Sequence, residues 1–246
     1  MKLNLFSTIA VFNESQLKGY HVVVVDVLRA SSTIVHACEK GIERIIPVAS
    51  VEDVTKLLPT LDRKKTLTGG ESDGRKIEGF DLGNSPSEYS ARVVRGKTLV
   101  FATTNGTVAI TKSAPADEIV VGCFLNLSAV VAHVVAARPK NIAILCAGNH
   151  GYLALEDFVC GGMIADGIRA ATRRKIQMND GALAARSLSK TMPEVEEVVR
   201  SSSHGCRLTE LGFEEDLVYC SRVSKYSTVP LVLEGRISNR EAARRS

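Results

Sequence analysis

Apolar runs of strand length recur along the chain. Each is closed by a short polar run and followed by a longer amphipathic stretch. VVVVDVLRASSTI covers residues 22–34, LVFATTNGTVAI 99–110, IVVGCFLNLSAVV 119–131 and IAILCAGNHGYLALEDFVCGG 142–162. Continuous β-branched runs of this kind mark strands buried on both faces, so each unit reads as strand, loop, helix. Predicted strands are 22–26, 45–48, 66–68, 99–102, 118–122 and 141–146, with a further one near 229–233. Predicted helices run from 31 or 32 to 40, closed by Gly41, then over 51–58, 107–113, 128–137 and 155–171, with a helix start at 85–88. Ser50 caps the second helix, and Glu52 and Asp53 complement its positive first turn. Strands alternating with helices predict an α/β fold: three layers, α/β/α, around a largely parallel or mixed sheet. In such sheets the loops at the carboxyl ends of the strands share one crevice, where ligands bind. A fifth polar run, GGESDGRKIEGFDLGNSPSEY (69–89), is too rich in Gly, Asp and Asn to be core.

After Thr172 the pattern turns helical, over 181–190 and 194–201, and SSSHGCRL (201–208) reads as a loop opening another helix. No Pro/Gly/Ser linker intervenes. The expectation is one domain, 1–235, with a helical insertion near 173–203, followed by a basic and flexible tail, 236–246, carrying Arg236, Arg240, Arg244 and Arg245.

Composition narrows the function classes. The chain has 246 residues, 45% hydrophobic and 24% charged, enough for a sizeable core. A net charge of +4 and 5% aromatic residues argue against nucleic acid as partner. The six cysteines are widely spread with no CxxC pair, and are expected to be reduced and structural. The start MKLNLFSTIAVF lacks the features of a signal peptide, and no apolar run approaches the roughly 20 residues that span a membrane. A cytoplasmic protein without membrane contact is expected. The apolar 119–135 stretch leaves a homodimer open.

Candidate chemistry sits at the strand ends. Asp26 closes a strand that is otherwise wholly apolar, where an ionised carboxylate is costly unless paired or metal-bound. Such an Asp suits either a metal ligand or a phosphoryl nucleophile. Arg29 offers a bidentate fork, and Ser31, Ser32 and Thr33 offer hydroxyls and a helix start suited to an anion. Thr103, Thr104 and Asn105 repeat the design, and Gly106 permits close backbone approach, although no Lys-Ser/Thr follows to make a Walker loop. Asn126 holds the corresponding place in the next unit. Glu156 and Asp157 form an acidic pair at a helix start. With Asp26, Glu71 and Asp81 they offer oxygen ligands for a divalent cation such as Mg²⁺. His204 lies in a polar loop near Arg207; His36, His133 and His150 carry less weight, and the first two, within helices, are assigned bland surface or core roles.

DVLRASSTI, GGES…IEGFDLGNSPSEY, TTNGT, GCFLN, CAG…LEDFVCGG and SSSHGCRL occur in one order across 26–208. Together they resemble the ComB family, the Mg²⁺-dependent 2-phosphosulfolactate phosphatases of coenzyme M biosynthesis. The resemblance implies a three-layer α/β/α hydrolase acting on a small anionic phosphate ester. It maps Asp26, Arg29, Ser31 and Ser32 onto the first motif; Glu71, Asp81, Gly83, Asn84 and Ser85 onto the second; Thr104, Asn105 and Gly106 onto the third; and Asn126, Glu156, Asp157 and His204 onto the later ones. One position departs: Ser72 stands where the pattern often has Arg, and Arg75 is the substitute cation three residues on.

The expected roles follow. Asp26, Arg29, Asp81 and His204 are catalytic. Ser31, Ser32, Arg75, Asn84, Ser85, Thr104, Asn105, Gly106 and Asn126 bind substrate. Asp26, Glu71, Asp81, Glu156 and Asp157 supply the Mg²⁺ ligands, and Arg207 is a further candidate for a second anionic group. The sequence leaves open whether Asp26 or a water attacks phosphorus. It also leaves two other functions: hydrolysis of a different 2-phospho acid, or non-catalytic sensing of phosphorylated or sulfonated metabolites.

Overall fold

A computed structural model of the chain describes residues 1–192 and 194–239. The strands are β1 (Lys2–Phe6), β2 (His21–Val25), β3 (Arg44–Val48), β4 (Thr66–Ser72), β5 (Arg75–Lys76), β6 (Thr98–Ala102), β7 (Glu118–Gly122), β8 (Asn141–Cys146), β9 (Gln177–Met178), β10 (Pro230–Leu233) and β11 (Arg236–Asn239). The α-helices are α1 (Ala30–Glu39), α2 (Val51–Leu57), α3 (Ala91–Val94), α4 (Gly106–Lys112), α5 (Leu127–Ala137), α6 (Leu155–Ala171), α7 (Asp180–Thr191), α8 (Val195–Ser201), α9 (Ser203–Glu210) and α10 (Glu214–Cys220). The strands form one mixed sheet in the order β5-β4-β6-β3-β11-β10-β7-β2-β8-β1-β9.

Two parallel blocks make up most of that sheet. In one, β7, β2, β8, β1 and β9 lie side by side; in the other, β3, β6 and β4 do. The antiparallel hairpin β10–β11 joins them by pairing with β7 on one side and β3 on the other. Three antiparallel pairings in succession would point the blocks in opposite directions in a flat sheet. Even so, residues at the carboxyl ends of β2, β4 and β6 come together around one cavity.

The valine run of β2 serves both faces, as its continuous apolar pattern requires. Val22 and Val24 pack with Ile34 and Ala37 of α1 and Ala109 and Ile110 of α4. Val23 and Val25 pack with Val130 of α5, Ile164 and Ile168 of α6 and Leu217 of α10. These two cores are the outer interfaces of a three-layer α/β/α sandwich. The 119–135 stretch is spent within the chain: Ile119 and Val121 join one core, Val120, Val130, Val131 and Val134 the other. Among the described residues no helix is long and apolar enough to cross a membrane. All six cysteines are free; five are buried, and burial pushes the Cys38 and Cys123 thiols up to about 12.

Three differences from the sequence pattern have physical causes. Strand β1 is not marked by a continuous apolar run because Lys2 and Asn4 alternate with the buried Leu3 and Leu5. The tail expected from 236 is a strand over its described residues: Arg236–Asn239 is β11, with Ile237 fully buried opposite Ile45. Arg240, Arg244 and Arg245 lie outside the described residues. The helical segment also runs past 203, through α9 and α10, whose Leu208, Leu217 and Cys220 find their apolar partners in the core cluster of β2, α6 and α8.

Helix α6 lies against the sheet through Gly161 and against α7 through Gly162, where an added Cβ would strike the Ala185 carbonyl oxygen. On an open helix face, Ala in place of Gly adds stability of up to about 1 kcal/mol. Here overpacking wins, and Gly162→Ala is expected to lower the unfolding free energy by roughly 1–3 kcal/mol. Urea denaturation checks this; unchanged or increased stability would mean that α7 does not rest on this glycine.

Candidate active site

The loops leaving β2, β4, β6 and β8 enclose a cavity of about 180 Å³ lined by Asp26, Leu28, Arg29, Glu71, Asp73, Gly74, Asn84, Thr104, Asn105, Asn149, His150, His204 and Arg207. His204 and Arg207 come from α9, which closes the open side. The crevice expected at the strand ends therefore exists, but β7 contributes nothing to its lining.

The first loop is built around the Asp26 carboxylate, which is 6% exposed. Its Oδ1 accepts from the Ala30 N–H at 3.1 Å, and its own N–H donates to Ser31 Oγ at 3.0 Å. Ser32 Oγ donates to the Val27 carbonyl, and Thr33 Oγ1 to the Asn84 carbonyl. The Ser31 N–H donates to the Asp26 carbonyl and the Thr33 N–H to that of Arg29. The start of α1 is thus capped by its own loop. Ser31, expected to bind substrate, accepts from Asp26, and Ser32, also expected to bind substrate, donates to the Val27 carbonyl; neither lines the cavity. Asp26 Oδ2 makes no hydrogen bond among the described residues and faces Gly106, where an added Cβ would stand 2.5 Å away. Gly106 is accordingly a spacing residue: any side chain there would occupy the place of the free oxygen.

Glu71 organises the opposite wall. Its Oε1 accepts from the Thr104 N–H and its Oε2 from the Gly74 N–H, each at 2.8 Å, fastening the β6 loop to the β4–β5 turn. Asn84 lines the cavity with its Oδ1 buried and unpartnered. Asp81 is not brought to the cavity. Its carboxylate takes the Thr68 N–H and hydroxyl and pairs with Arg63 at 3.1 Å. Burial alone would raise its pKa, but the bonds to Arg63 and Thr68 outweigh that and lower it. Arg75 is exposed on β5 and Ser85 is turned toward α10, so neither lines the cavity. Asn126 is fully buried elsewhere, accepting from the Cys123 N–H and donating to the carbonyls of Val121 and Thr228. Its polarity satisfies backbone where β7 ends.

Glu156 and Asp157 are both buried, yet they part company. The two oxygens of Asp157 accept from the N–H groups of Val27 and Gly148, tying the β2 and β8 loops together. Glu156 Oε1 stands 3.7 Å from His204 Nδ1, an ion-pair distance, and its Oε2 is buried with no partner. Burial and the neighbouring carboxylates hold the Asp157 proton well above the usual carboxylate range. Burial likewise raises Asp26 to about 7; His204 opposes the shift, while Glu71 and Glu156 add to it. For His204 burial acts downward, but the carboxylates of Glu156, Asp26 and Glu71 outweigh it and raise the imidazolium above its ordinary value. The His204 imidazolium sits within a cluster of carboxylates, with Arg29 and Arg207 on the same cavity.

Several lining residues carry no distinct sequence signal. Asp73 and His150 both adopt positive φ and face each other at 3.8 Å; Asn149 sits beside His150. His150, given less weight than His204 by its sequence context, is a rim residue. Asp216 and Phe213 secure Arg29. Asp216 sits in an acidic run at a helix start, which reads equally well as dipole complementarity.

A sequence profile of the 2-phosphosulpholactate phosphatase family matches residues 7–235. The probable 2-phosphosulfolactate phosphatase of Caldanaerobacter subterraneus subsp. tengcongensis is 39% identical over 96% of this chain and 97% of its own length. That of Clostridium acetobutylicum is 37% identical over 96% of this chain and all of its own length. That of Thermotoga maritima is 40% identical over 87% of this chain and 89% of its own length.

The raised pKa of Asp26 has a consequence for stability. The native state keeps this proton to about pH 7, whereas the unfolded chain loses it near 3.8. The native state therefore binds more protons between those values, and stability falls as pH rises through that window. The raised His204 acts in the same direction, because its stabilising charge is lost at high pH. In chelator, the wild type is expected to lose on the order of 2–3 kcal/mol from this carboxylate between pH 5 and pH 8. Asp26→Asn, which keeps an acceptor for Ala30, should flatten the profile. Parallel melting profiles for the two proteins would contradict the assignment.

Proposed function

The chain belongs to the 2-phosphosulfolactate phosphatase family, and we propose that it hydrolyses 2-phosphosulfolactate to sulfolactate and phosphate with Mg²⁺ as cofactor, the reaction used in coenzyme M biosynthesis. The observation that carries this reading is the gathering of Asp26, Glu71, His204 and Arg29 around one small cavity, with Glu156 buried behind His204. Carboxylates, an imidazolium and a guanidinium are the parts that phosphate-ester hydrolysis requires.

A divalent cation fits the donor set in one particular way. Among the described residues no three His, Cys, Asp or Glu side chains cage an ion. Mg²⁺ commonly needs only one or two carboxylates, with water and substrate completing its shell. Among the described residues Glu156 Oε2 is buried without a partner, at a cost of about 1–3 kcal/mol, and Asp26 Oδ2, beside Gly106, accepts no hydrogen bond. These two residues would hold the ion. Glu71 and Asp157, whose oxygens are already spent on backbone N–H groups, and Asp81, which faces Arg63, would not. When bound, the cation would polarise the phosphoryl oxygens.

The chain's own groups supply the rest. Arg29 holds the phosphoryl group. Asp26 either accepts a proton from the attacking water or attacks phosphorus itself. His204, kept protonated by its carboxylate neighbours, gives its proton to the departing alkoxide. Arg207 and His150, both at the cavity rim, take the substrate's sulfonate and carboxylate.

Phosphate release from racemic 2-phosphosulfolactate tests the reading. Wild type is expected to release phosphate with Mg²⁺ and to stop in chelator. Asp26→Asn should lose activity. His204→Gln should fall by about 10²–10⁴. In wild type the rate should drop as pH rises through the raised His204 pKa, and that limb should vanish in His204→Gln. Hydroxylamine trapping of an acyl-phosphate on Asp26 distinguishes direct attack from water attack. Release from other 2-phospho acids but not from this ester would replace the substrate. Tight binding without release would mean a sensor.

A further inference from the structure

Arg29 is 2% exposed, so its cation needs an internal partner. It has one on α10, 187 residues away in sequence: Nη1 donates to Asp216 Oδ2 at 2.8 Å. Nη2 donates to the Gly74 carbonyl at 2.6 Å, and the Phe213 ring lies 4.1 Å from the guanidinium carbon. Two bonds in the guanidinium plane and one ring on its face fix both tilt and rotation. Of five guanidinium N–H donors, three remain for a ligand. Asp216 is itself held, since its Oδ1 accepts from Ser85 Oγ at 2.6 Å. Asp216 does not line the cavity that Arg29 lines; it stands behind the guanidinium.

We propose that Asp216 is a positioning residue for Arg29: through the Arg29–Asp216–Ser85 chain, docking of α10 sets the direction in which the guanidinium meets the phosphoryl group. This rests on Arg29 being the phosphate-holding group of the site. The arrangement explains why Ser85 faces away from the cavity, and it gives the segment after α8 two tasks. Helix α9 delivers His204 and α10 aims Arg29, so the site is complete only when both helices have docked.

The test combines a spectroscopic signature with a mutant cycle. In wild type the Arg29 Nε–H should give a sharp ¹⁵N–¹H resonance that exchanges slowly with water. In Asp216→Asn, which keeps shape but removes the charge, that resonance should broaden or vanish. Inorganic phosphate should bind about tenfold more weakly, by loss of a charge-assisted contact, and kcat/KM should fall by about 10²-fold, as for a group misplaced by about 1 Å. In an Arg29→Lys background the same change should cost less than about threefold, because its effect runs through Arg29. Additive losses, or a sharp Arg29 resonance with wild-type phosphate affinity in Asp216→Asn, would overturn the proposal. Should Asp216→Asn fail to fold, Ser85→Ala releases Asp216 from one side only. It is expected to broaden the same resonance, and leaving it unchanged would be equally damaging. If Arg29→Lys leaves phosphate affinity untouched, Arg29 is not the phosphate holder. The Nε–H signal still decides whether Asp216 locks it.

Discussion

Burial of charge at the end of an all-apolar strand is the constraint on which the rest of the site depends. Asp26 ends β2 in the middle of the sheet, and Arg29 follows three residues later; both are nearly inaccessible. Neither can be solvated, so every neighbouring loop is recruited to neutralise or hydrogen-bond them. Ala30 and Ser31 brace Asp26 locally, while Asp216, Gly74 and Phe213 hold Arg29 from distant parts of the chain. A buried pair of this kind adds little net stability, but removing one partner is costly. That asymmetry suits a residue whose orientation matters more than its contribution to folding.

The same constraint explains a division of labour among the polar residues. Most of them serve backbone rather than ligand. Asp157 joins two loops, Glu71 joins two more, Asn126 closes the end of β7, and Ser31 and Ser32 knit the turn at Asp26. Among the described residues around the site little is left over: one oxygen of Glu156 and one of Asn84 are buried without a partner, Asp26 Oδ2 accepts no hydrogen bond, and the imidazolium of His204 stands beside Glu156. A scaffold that satisfies nearly all its own hydrogen bonds leaves a few groups unsatisfied in one place. Those are the groups with free energy to gain from a ligand.

The hairpin β10–β11 does for the sheet what α10 does for Arg29. It comes from the end of the chain and links the β7–β2–β8 block to the β3–β6–β4 block. It joins the bonds from Arg29 to the Gly74 carbonyl and from Thr33 to the Asn84 carbonyl in holding the β4 side of the crevice against the Asp26 loop. The carboxyl-end crevice is therefore assembled by C-terminal elements, although its most recognisable motifs lie in the first two-thirds of the chain.

The sequence by itself determined the local frame. Continuous valine and isoleucine runs specify buried strands because no other environment accepts both faces, and the polar residues after them can only be loops. That logic locates β2, β6, β7 and β8, the helices after them, the α/β class and the placing of Asp26 and Thr104 just past strand ends and of Glu156 at a helix start. Only the tertiary structure decided which polar groups are spent and which are free. Asp81 and Asn126 stand in motifs as distinctive as that of Asp26, yet Arg63 and backbone carbonyls claim them. Asp216 looks like ordinary helix-start acidity, yet it meets Arg29. A residue's type and neighbours in sequence set what it can bond to. Which partner it finds depends on distances across the sheet, and those arise from twist, pairing and helix docking that no local pattern contains.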